Sequence, residues 1–235
     1  MEKYFIALCF LLIQIPSRGQ NFDYREIFGD NWLKAEAFEK ANANWMAQIL
    51  DENSIPYNVA LAVIFPELVR YSALRDKMET TLLKTLYVNL GDQYANFSVG
   101  QFQIKPTFAE LIRTESARLT INDRFRLPDE FNNISDYRKS IVADLEDTRQ
   151  SFMYIVAFIK ICEVKFNLNT LDEETKIRFL ASAYNTGIDH AYDKIIKISE
   201  NRFFTTNLIG SEKYSYSDVS AYWYRINNNV NRIAH

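Results

Sequence analysis

Apolar residues recur every three or four positions along most of the chain, the spacing that places them on one face of an α-helix. One such face runs from Trp32 to Ile49, with Asp30 as its expected cap, and a second starts near Pro56. Because proline lacks a backbone donor and clashes with the preceding turn, we expect the second helix to kink or end at Pro66. Further helices are predicted over residues 78–90, from Pro106 to Ile112, over 135–166, from a Thr170–Glu173 capping box to Gly187, and over 217–233.

One segment between these helices has a different pattern. Residues 98–104 alternate apolar and polar side chains like a short strand, and turn residues precede them at 91–97. The stripe over 135–166 corresponds to about eight helical turns and includes Cys162, which we expect to pack in the core. The sequence therefore predicts a mainly α fold with one small β element.

The composition supports a helical domain and excludes other classes. Six Gly and five Pro are too few for an all-β sandwich or barrel, or for a Gly-rich nucleotide-binding sheet. A formal net charge of −3, with no long run of either sign, lacks the basic footprint of a nucleic-acid-binding protein. His190 and His235 lie far apart and have no cysteine partners. We therefore predict no metal site and no cofactor.

The N-terminal residues 1–19 have the pattern of a secretory signal peptide. Lys3 gives a positive start, Tyr4 to Ile15 is almost entirely apolar, and Ser17-Arg18-Gly19 suits cleavage after the glycine. The apolar run is shorter than the roughly 17 to 25 residues of a membrane-spanning helix. We therefore predict an exported protein without a stable membrane span, in which residues 20–235 form a single domain.

Three local features carry candidate chemistry. Glu67 follows residues 60–66, which contain no polar side chain, so its carboxyl is expected against apolar walls that raise its pKa. A carboxyl that is protonated at neutral pH can act as a general acid. The second feature is the strand-like segment that carries Gln103, and the third is the pair Tyr184 and Asn185 at a helix end.

In these three segments the chain resembles the lysozyme-like lytic transglycosylases of bacterial cell-wall metabolism, whose hydrolytic relatives are the goose-type lysozymes. Residues 61–67, LAVIFPE, are similar to the family's apolar helix that ends in the catalytic glutamate. Residues 98–106, SVGQFQIKP, are similar to its second motif, and residues 183–187, AYNTG, to its third. Two positions differ, since Leu68 and Phe102 stand where the family usually has serine and methionine.

The resemblance implies a lysozyme-like α+β fold, a helical domain whose small β element flanks a substrate cleft. It implies cleavage of the β-1,4 bond between N-acetylmuramic acid and N-acetylglucosamine of peptidoglycan in the periplasm, leaving 1,6-anhydromuramoyl ends. Glu67 is then the only catalytic residue, because one carboxyl can first donate and later accept the proton. Four further residues carry over as substrate-binding residues: Ser98, Gln103, Tyr184 and Asn185.

Other interpretations stay open at this point. A goose-type lysozyme would hydrolyse the same bond and leave reducing ends. An ordinary two-carboxylate hydrolase would need a second acid, for which Asp76, Glu79, Asp92 and Glu110 are the candidates, although we interpret each as a surface acid. A non-catalytic glycan-binding or scaffold protein of an envelope machine is the alternative from another class, and Leu68 and Phe102 favour it. The aromatic residues between Tyr214 and Tyr224 can stack on sugar rings, although core packing is the interpretation we prefer.

Overall fold

The computed structural model describes residues 22–74, 81–122, 124–199, 202–204 and 213–233, so the predicted signal peptide lies outside the described residues. These residues form ten α-helices: α1 Tyr24–Phe28, α2 Asp30–Glu52, α3 Tyr57–Leu74, α4 Thr81–Leu90, α5 Pro106–Arg118, α6 Ile134–Glu146, α7 Thr148–Phe166, α8 Glu173–Thr186, α9 Tyr192–Ser199 and α10 Tyr216–Ile233. Two short strands, β1 (Arg202–Phe204) and β2 (Tyr214–Ser215), pair antiparallel. The fold is mainly helical, as predicted. Helices α1 and α9 and the β1–β2 pair were not predicted from the sequence.

Of the two outcomes predicted at Pro66, a kink or an end, the helix end does not occur, because α3 continues to Leu74. An interior proline costs about 3 kcal/mol, since it removes one backbone hydrogen bond and crowds the preceding turn. Beyond it, however, Leu68 and Val69 are fully buried, and burying each such side chain stabilises the fold by about 1.5–3 kcal/mol. Tertiary packing therefore outweighs the local preference, and α3 passes through the core against α2, α8 and α10.

The segment over 98–104 is a tight hairpin and not the predicted strand. Its only ladder contact is the pair Val99 and Ile104, whose backbone N–H groups donate to each other's carbonyl at 2.9 and 3.2 Å. At the turn, Gly100 has a φ of +69°, and a Cβ there would lie 2.0 Å from the carbonyl oxygen of Leu145 in α6. Glycine is required by this close approach, which fixes the hairpin against α6.

The predicted helix over 135–166 is two helices. Helix α6 ends at Glu146, and Asp147 caps α7 by accepting backbone hydrogen bonds from Arg149 and Gln150, each at 2.8 Å. An aspartate in this position satisfies N–H groups that have no partner within the helix. The apolar spacing continues across the break, which is why the pattern alone did not reveal it. Cys162 is buried in α7, as expected.

The caps of two other helices also differ from the predicted ones. Gly29, and not Asp30, is the N-cap of α2, which starts at the aspartate. Asp172, and not Thr170, caps α8, and its Oδ1 accepts from the backbone N–H of Thr175 at 3.0 Å. The end of α8 at Gly187 and helix α10 agree with the prediction. Helix α4 begins at Thr81, and the predicted start at 78 lies outside the described residues.

One hydrophobic core joins the helices. Helix α3 lies between α2, α8 and α10, while α5, α6 and α7 pack on one another. No helix within the described ranges combines the length and the apolar character that crossing a membrane requires. The arrangement places the residues of α3 near the centre of the molecule, and Glu67 is among them.

Candidate active site

Glu67 is a buried carboxyl on the central helix. Only 4% of the residue is exposed, and the six residues before Pro66, from Ala60 to Phe65, are all fully buried. Water that would solvate a carboxylate is excluded from such surroundings, and the charged form is disfavoured. Burial accordingly raises the pKa of Glu67 above its ordinary value.

Arg70 is the ion-pair partner of Glu67 and lies one turn further along α3. Its Nη1 donates to Oε1 at 2.9 Å and to Oε2 at 3.1 Å. Both Arg70 and, more weakly, Lys105 favour the carboxylate and so oppose the rise in pKa, but burial has the larger influence. Arg70 was not predicted as a site residue, although its i+3 position relative to Glu67 is the spacing of helix-surface pairs.

Tyr184 joins two of the three predicted segments. Its hydroxyl donates a hydrogen bond of 2.8 Å to the backbone carbonyl of Phe102 in the hairpin, and the residue is buried at the end of α8. Burial, and then the negative charge of Glu67, raise the pKa of the Tyr184 phenol well above its ordinary value. The phenol is therefore a neutral hydrogen-bond donor within electrostatic reach of the carboxyl.

Tyr216, a second phenol near Glu67, was not identified from the sequence. Its hydroxyl donates to the carbonyl of Val63 at 3.1 Å, one turn before Glu67. Burial raises its pKa well above the ordinary value, and the charges of Glu67 and Tyr184 add to the shift. Tyr216 belongs to the aromatic cluster that we assigned to the core. It is buried together with Trp223 and Tyr224, whereas Tyr214 and Tyr222 are half-buried against the core. No motif or spacing links the first residue of α10 to α3.

The other three predicted site residues, Gln103, Ser98 and Asn185, have different surroundings. Gln103 is buried with a φ of +52°, and its Nε2 donates to the carbonyl of Gly100 at 2.9 Å, so its amide stabilises the hairpin turn. Ser98 is half-buried in the same hairpin, and Asn185 is exposed in the last turn of α8. Among the described residues, no hydrogen bond joins any of these three side chains to Glu67.

The two positions that differ from the transglycosylase motifs are core positions here. Leu68 and Phe102 are both fully buried. The ring of Phe102 packs against Phe38 and Phe152, with ring centroids 6.1 and 5.5 Å apart. Both side chains therefore serve packing, and the backbone carbonyl of Phe102 remains the acceptor for Tyr184.

Of the four candidates for a second carboxylate, the two that the structure describes make no hydrogen bond to Glu67. Glu110 accepts a hydrogen bond of 2.5 Å from the hydroxyl of Tyr87, and Asp92 is exposed. Asp76 and Glu79 lie outside the described residues. Within the described ranges, no three His, Cys, Asp or Glu side chains are grouped as metal ligands.

A cavity of about 700 Å³ lies between α2, α5, α6 and α7. None of the five predicted site residues lines it. The carboxyl of Glu67 and this cavity are therefore separate features of the molecule, and the substrate cleft implied by the resemblance is not this cavity.

Searches against protein-family models, curated proteins and solved structures gave no match for this chain. The site is thus defined by its own geometry. It consists of one buried carboxyl that can gain and lose a proton, one cation beside it, and two neutral phenols in its neighbourhood.

Proposed function

We propose that the protein is a peptidoglycan lytic transglycosylase with a lysozyme-like fold and that Glu67 is its general acid and base. One observation carries the proposal. The carboxyl predicted from the first motif is buried with a raised pKa, and the tyrosine of the third motif bonds to the second motif within reach of its charge. Three segments widely separated in sequence thus converge on one titratable group.

The reaction would use Glu67 twice. The protonated carboxyl donates its proton to the glycosidic oxygen as the bond from that oxygen to C1 of N-acetylmuramic acid breaks. The resulting carboxylate then takes the proton of the C6 hydroxyl while the C6 oxygen attacks C1. A 1,6-anhydro ring forms, no water is consumed, and Glu67 ends in the protonated state in which it began.

Arg70 fits the middle of this cycle. Its guanidinium lies 2.9 Å from Oε1, where it stabilises the carboxylate formed once the proton has left. Burial favours the protonated form at the beginning and the end of the cycle. Burial and Arg70 therefore favour opposite protonation states of the same carboxyl, and the reaction uses both states. The more exposed member of the pair is Arg70, so we expect the glycan to approach from its side.

The products distinguish the transglycosylase from its hydrolytic relative. Purified protein and the Glu67→Gln variant are incubated with peptidoglycan sacculi, and the soluble muropeptides are analysed by mass spectrometry. We expect products one water lighter than those of a lysozyme, and none from the variant. Reducing-end products that depend on Glu67 would instead identify a goose-type hydrolase.

A second candidate is a non-catalytic glycan-binding or scaffold protein that retains the fold. The observation that favours it is the ion pair, since Arg70 contacts both carboxylate oxygens and competes with any glycan for them. Sacculi that bind the protein but release no fragments would support this candidate. Export to the periplasm, where either protein would meet peptidoglycan, is tested by sequencing the N-terminus of the mature chain.

A further inference from the structure

The cavity between α2, α5, α6 and α7 has a basic lining. Its described charged residues are five cations and two carboxylates: Arg113, Arg124, Arg126, Arg149, Lys160, Glu52 and Asp144. The whole chain carries a formal net charge of −3, so the positive excess is local and opposite in sign to the protein. A concave site lined by one sign of charge concentrates ions of the other sign.

Two of these seven charges neutralise each other within the protein. The guanidinium of Arg113 is buried and donates to Asp144 at 2.8 Å and to the hydroxyl of Tyr154 at 2.7 Å. Its Nη1 donates to Ser140 at 2.9 Å and to the carbonyl of Arg126 at 3.2 Å. All three of its nitrogens are therefore used, and this ion pair forms a fixed part of the cavity wall.

The other four lining cations have little ion pairing of their own, and Arg124, Arg126 and Arg149 are exposed while Lys160 is half-buried. Among the described residues, no carboxylate lies within ion-pair distance of Arg124, Arg149 or Lys160. Arg126 lies 3.8 Å from Glu130, at the outer limit of an ion pair. Among the described residues, three lining cations without an ion-pair partner therefore accompany one lining carboxylate, Glu52, and Arg149 also lies over the ring of Trp45 at 5.3 Å.

The rest of the lining suits an organic molecule. Asn122 and Gln150 offer amide groups, while Phe125, Phe131 and Met153 give an apolar wall. The ring of Phe131 is itself held under the guanidinium of Arg126, whose Cζ lies 4.1 Å from the ring centroid. A volume of about 700 Å³ is in the range of small-molecule sites.

We propose that this cavity binds a small organic polyanion, one that presents two or more carboxylate or phosphate groups to Arg124, Arg149 and Lys160. Arginine is suited to this because its planar fork matches the geometry of carboxylate and phosphate oxygens. The site shares no residue with the Glu67 cluster, so the proposal does not depend on the function proposed above.

Isothermal titration calorimetry with citrate and with pyrophosphate tests the proposal. The cavity variant is the double substitution Arg124→Gln and Lys160→Gln. Its control is Lys34→Gln and Lys40→Gln, which removes the same two charges from exposed positions of α2 that do not line the cavity. Circular dichroism of both variants verifies the fold, and Lys160→Gln alone replaces the double variant if that one does not fold.

We expect at least one probe to bind the native protein, and the cavity variant to bind it at least about tenfold more weakly, the effect of one lost charge-assisted hydrogen bond. The control should change Kd less than about twofold, since distant exposed charges are screened by salt. Binding of citrate alone would select carboxylates, and of pyrophosphate alone phosphates. Equal weakening in both variants, or no binding of either probe at millimolar concentration, would overturn the proposal.

Discussion

Two glutamates of this protein each form an i,i+3 ion pair with an arginine, but their pKa values shift in opposite directions. Glu67 in α3 and Glu115 in α5 each pair with an arginine three residues later, Arg70 and Arg118, at 2.9 and 2.6 Å. The side chains of the first pair are 5% and 24% exposed, and those of the second are 16% and 57% exposed. In α3 burial raises the pKa of the carboxyl, while in α5 the hydrogen bond from the arginine lowers it.

The difference shows that the surroundings of an i,i+3 ion pair, and not its spacing, decide whether the pKa of its carboxyl is raised or lowered. Glu115 keeps enough contact with water for Arg118 to be the dominant influence. Glu67 follows a run of fully buried apolar residues, where the loss of hydration exceeds the attraction of a single guanidinium. A carboxyl like Glu115 stays ionised and stabilises its helix through the ion pair. A carboxyl like Glu67 can bind a proton.

The largest expected effect is on catalysis. Glu67→Gln should lower the release of muropeptides from sacculi about a thousandfold, because the amide has nearly the same shape but cannot transfer the proton. Glu115→Gln makes the same substitution in the second ion pair and leaves Arg118 in place. Its rate of muropeptide release should stay within about twofold of the native rate. A comparable loss in both variants would contradict the assignment of the acid to Glu67.

The next effect is on stability. Arg70→Met should lower the free energy of unfolding by about 3 kcal/mol at pH 8, because it leaves a buried carboxylate without its partner. At pH 5 the loss should be smaller, since Glu67 can then take up a proton. Arg118→Met, the matched change in the more exposed pair, should leave the free energy of unfolding nearly unchanged. Urea denaturation at both pH values measures the difference, and equal losses in the two variants would show that the two environments do not differ.

A smaller effect is expected at the phenols. Tyr184→Phe removes the donor to the carbonyl of Phe102 and should lower the free energy of unfolding by about 1 kcal/mol. If the phenol also orients substrate at Glu67, the rate of muropeptide release should fall by more than tenfold, which corresponds to more than about 1.4 kcal/mol and so exceeds the loss of stability. Tyr192→Phe, whose ring stacks on Phe179 at 5.0 Å, is the control for losing a phenol. Unchanged activity in Tyr184→Phe would limit this residue to a structural role.

The smallest effect is on the pH dependence of Tm, and its sign differs between the two glutamates. The folded pKa of Glu67 is raised, so its contribution to stability is fully present below the unfolded pKa of about 4.3 and is lost as the pH rises through the folded pKa. The folded pKa of Glu115 is lowered, so its contribution is present above that value and is lost as the pH falls.

Differential scanning fluorimetry from pH 3 to 8 separates these two trends. With rising pH, the Tm of the native protein relative to Glu67→Gln should fall, and relative to Glu115→Gln it should rise. Parallel curves for the two variants would contradict the opposite pKa shifts.

The helical architecture could be predicted from the sequence because most helices carry one apolar face at regular spacing. Non-local packing or a cap decided the outcome at two places. The helix end that was one of the two outcomes predicted at Pro66 does not occur, and Asp147 separates α6 from α7 where one helix was predicted. The burial of Glu67 could also be predicted, because the apolar run before it is local. Tyr216 could not, since only the tertiary contact of α10 with α3 brings it near the carboxyl.

The most direct test of the account is the pKa of Glu67 itself. In protein labelled with ¹³C at glutamate Cδ, the carboxyl resonances are followed by NMR over the pH range, and the signals missing in Glu67→Gln and Glu115→Gln assign the two groups. We predict that Glu67 titrates above the ordinary value for glutamate and that Glu115 titrates below it. A midpoint for Glu67 at or below that of Glu115 would mean that Arg70 outweighs burial, and the carboxyl would then be a structural anion and not the acid of a glycan-cleaving enzyme.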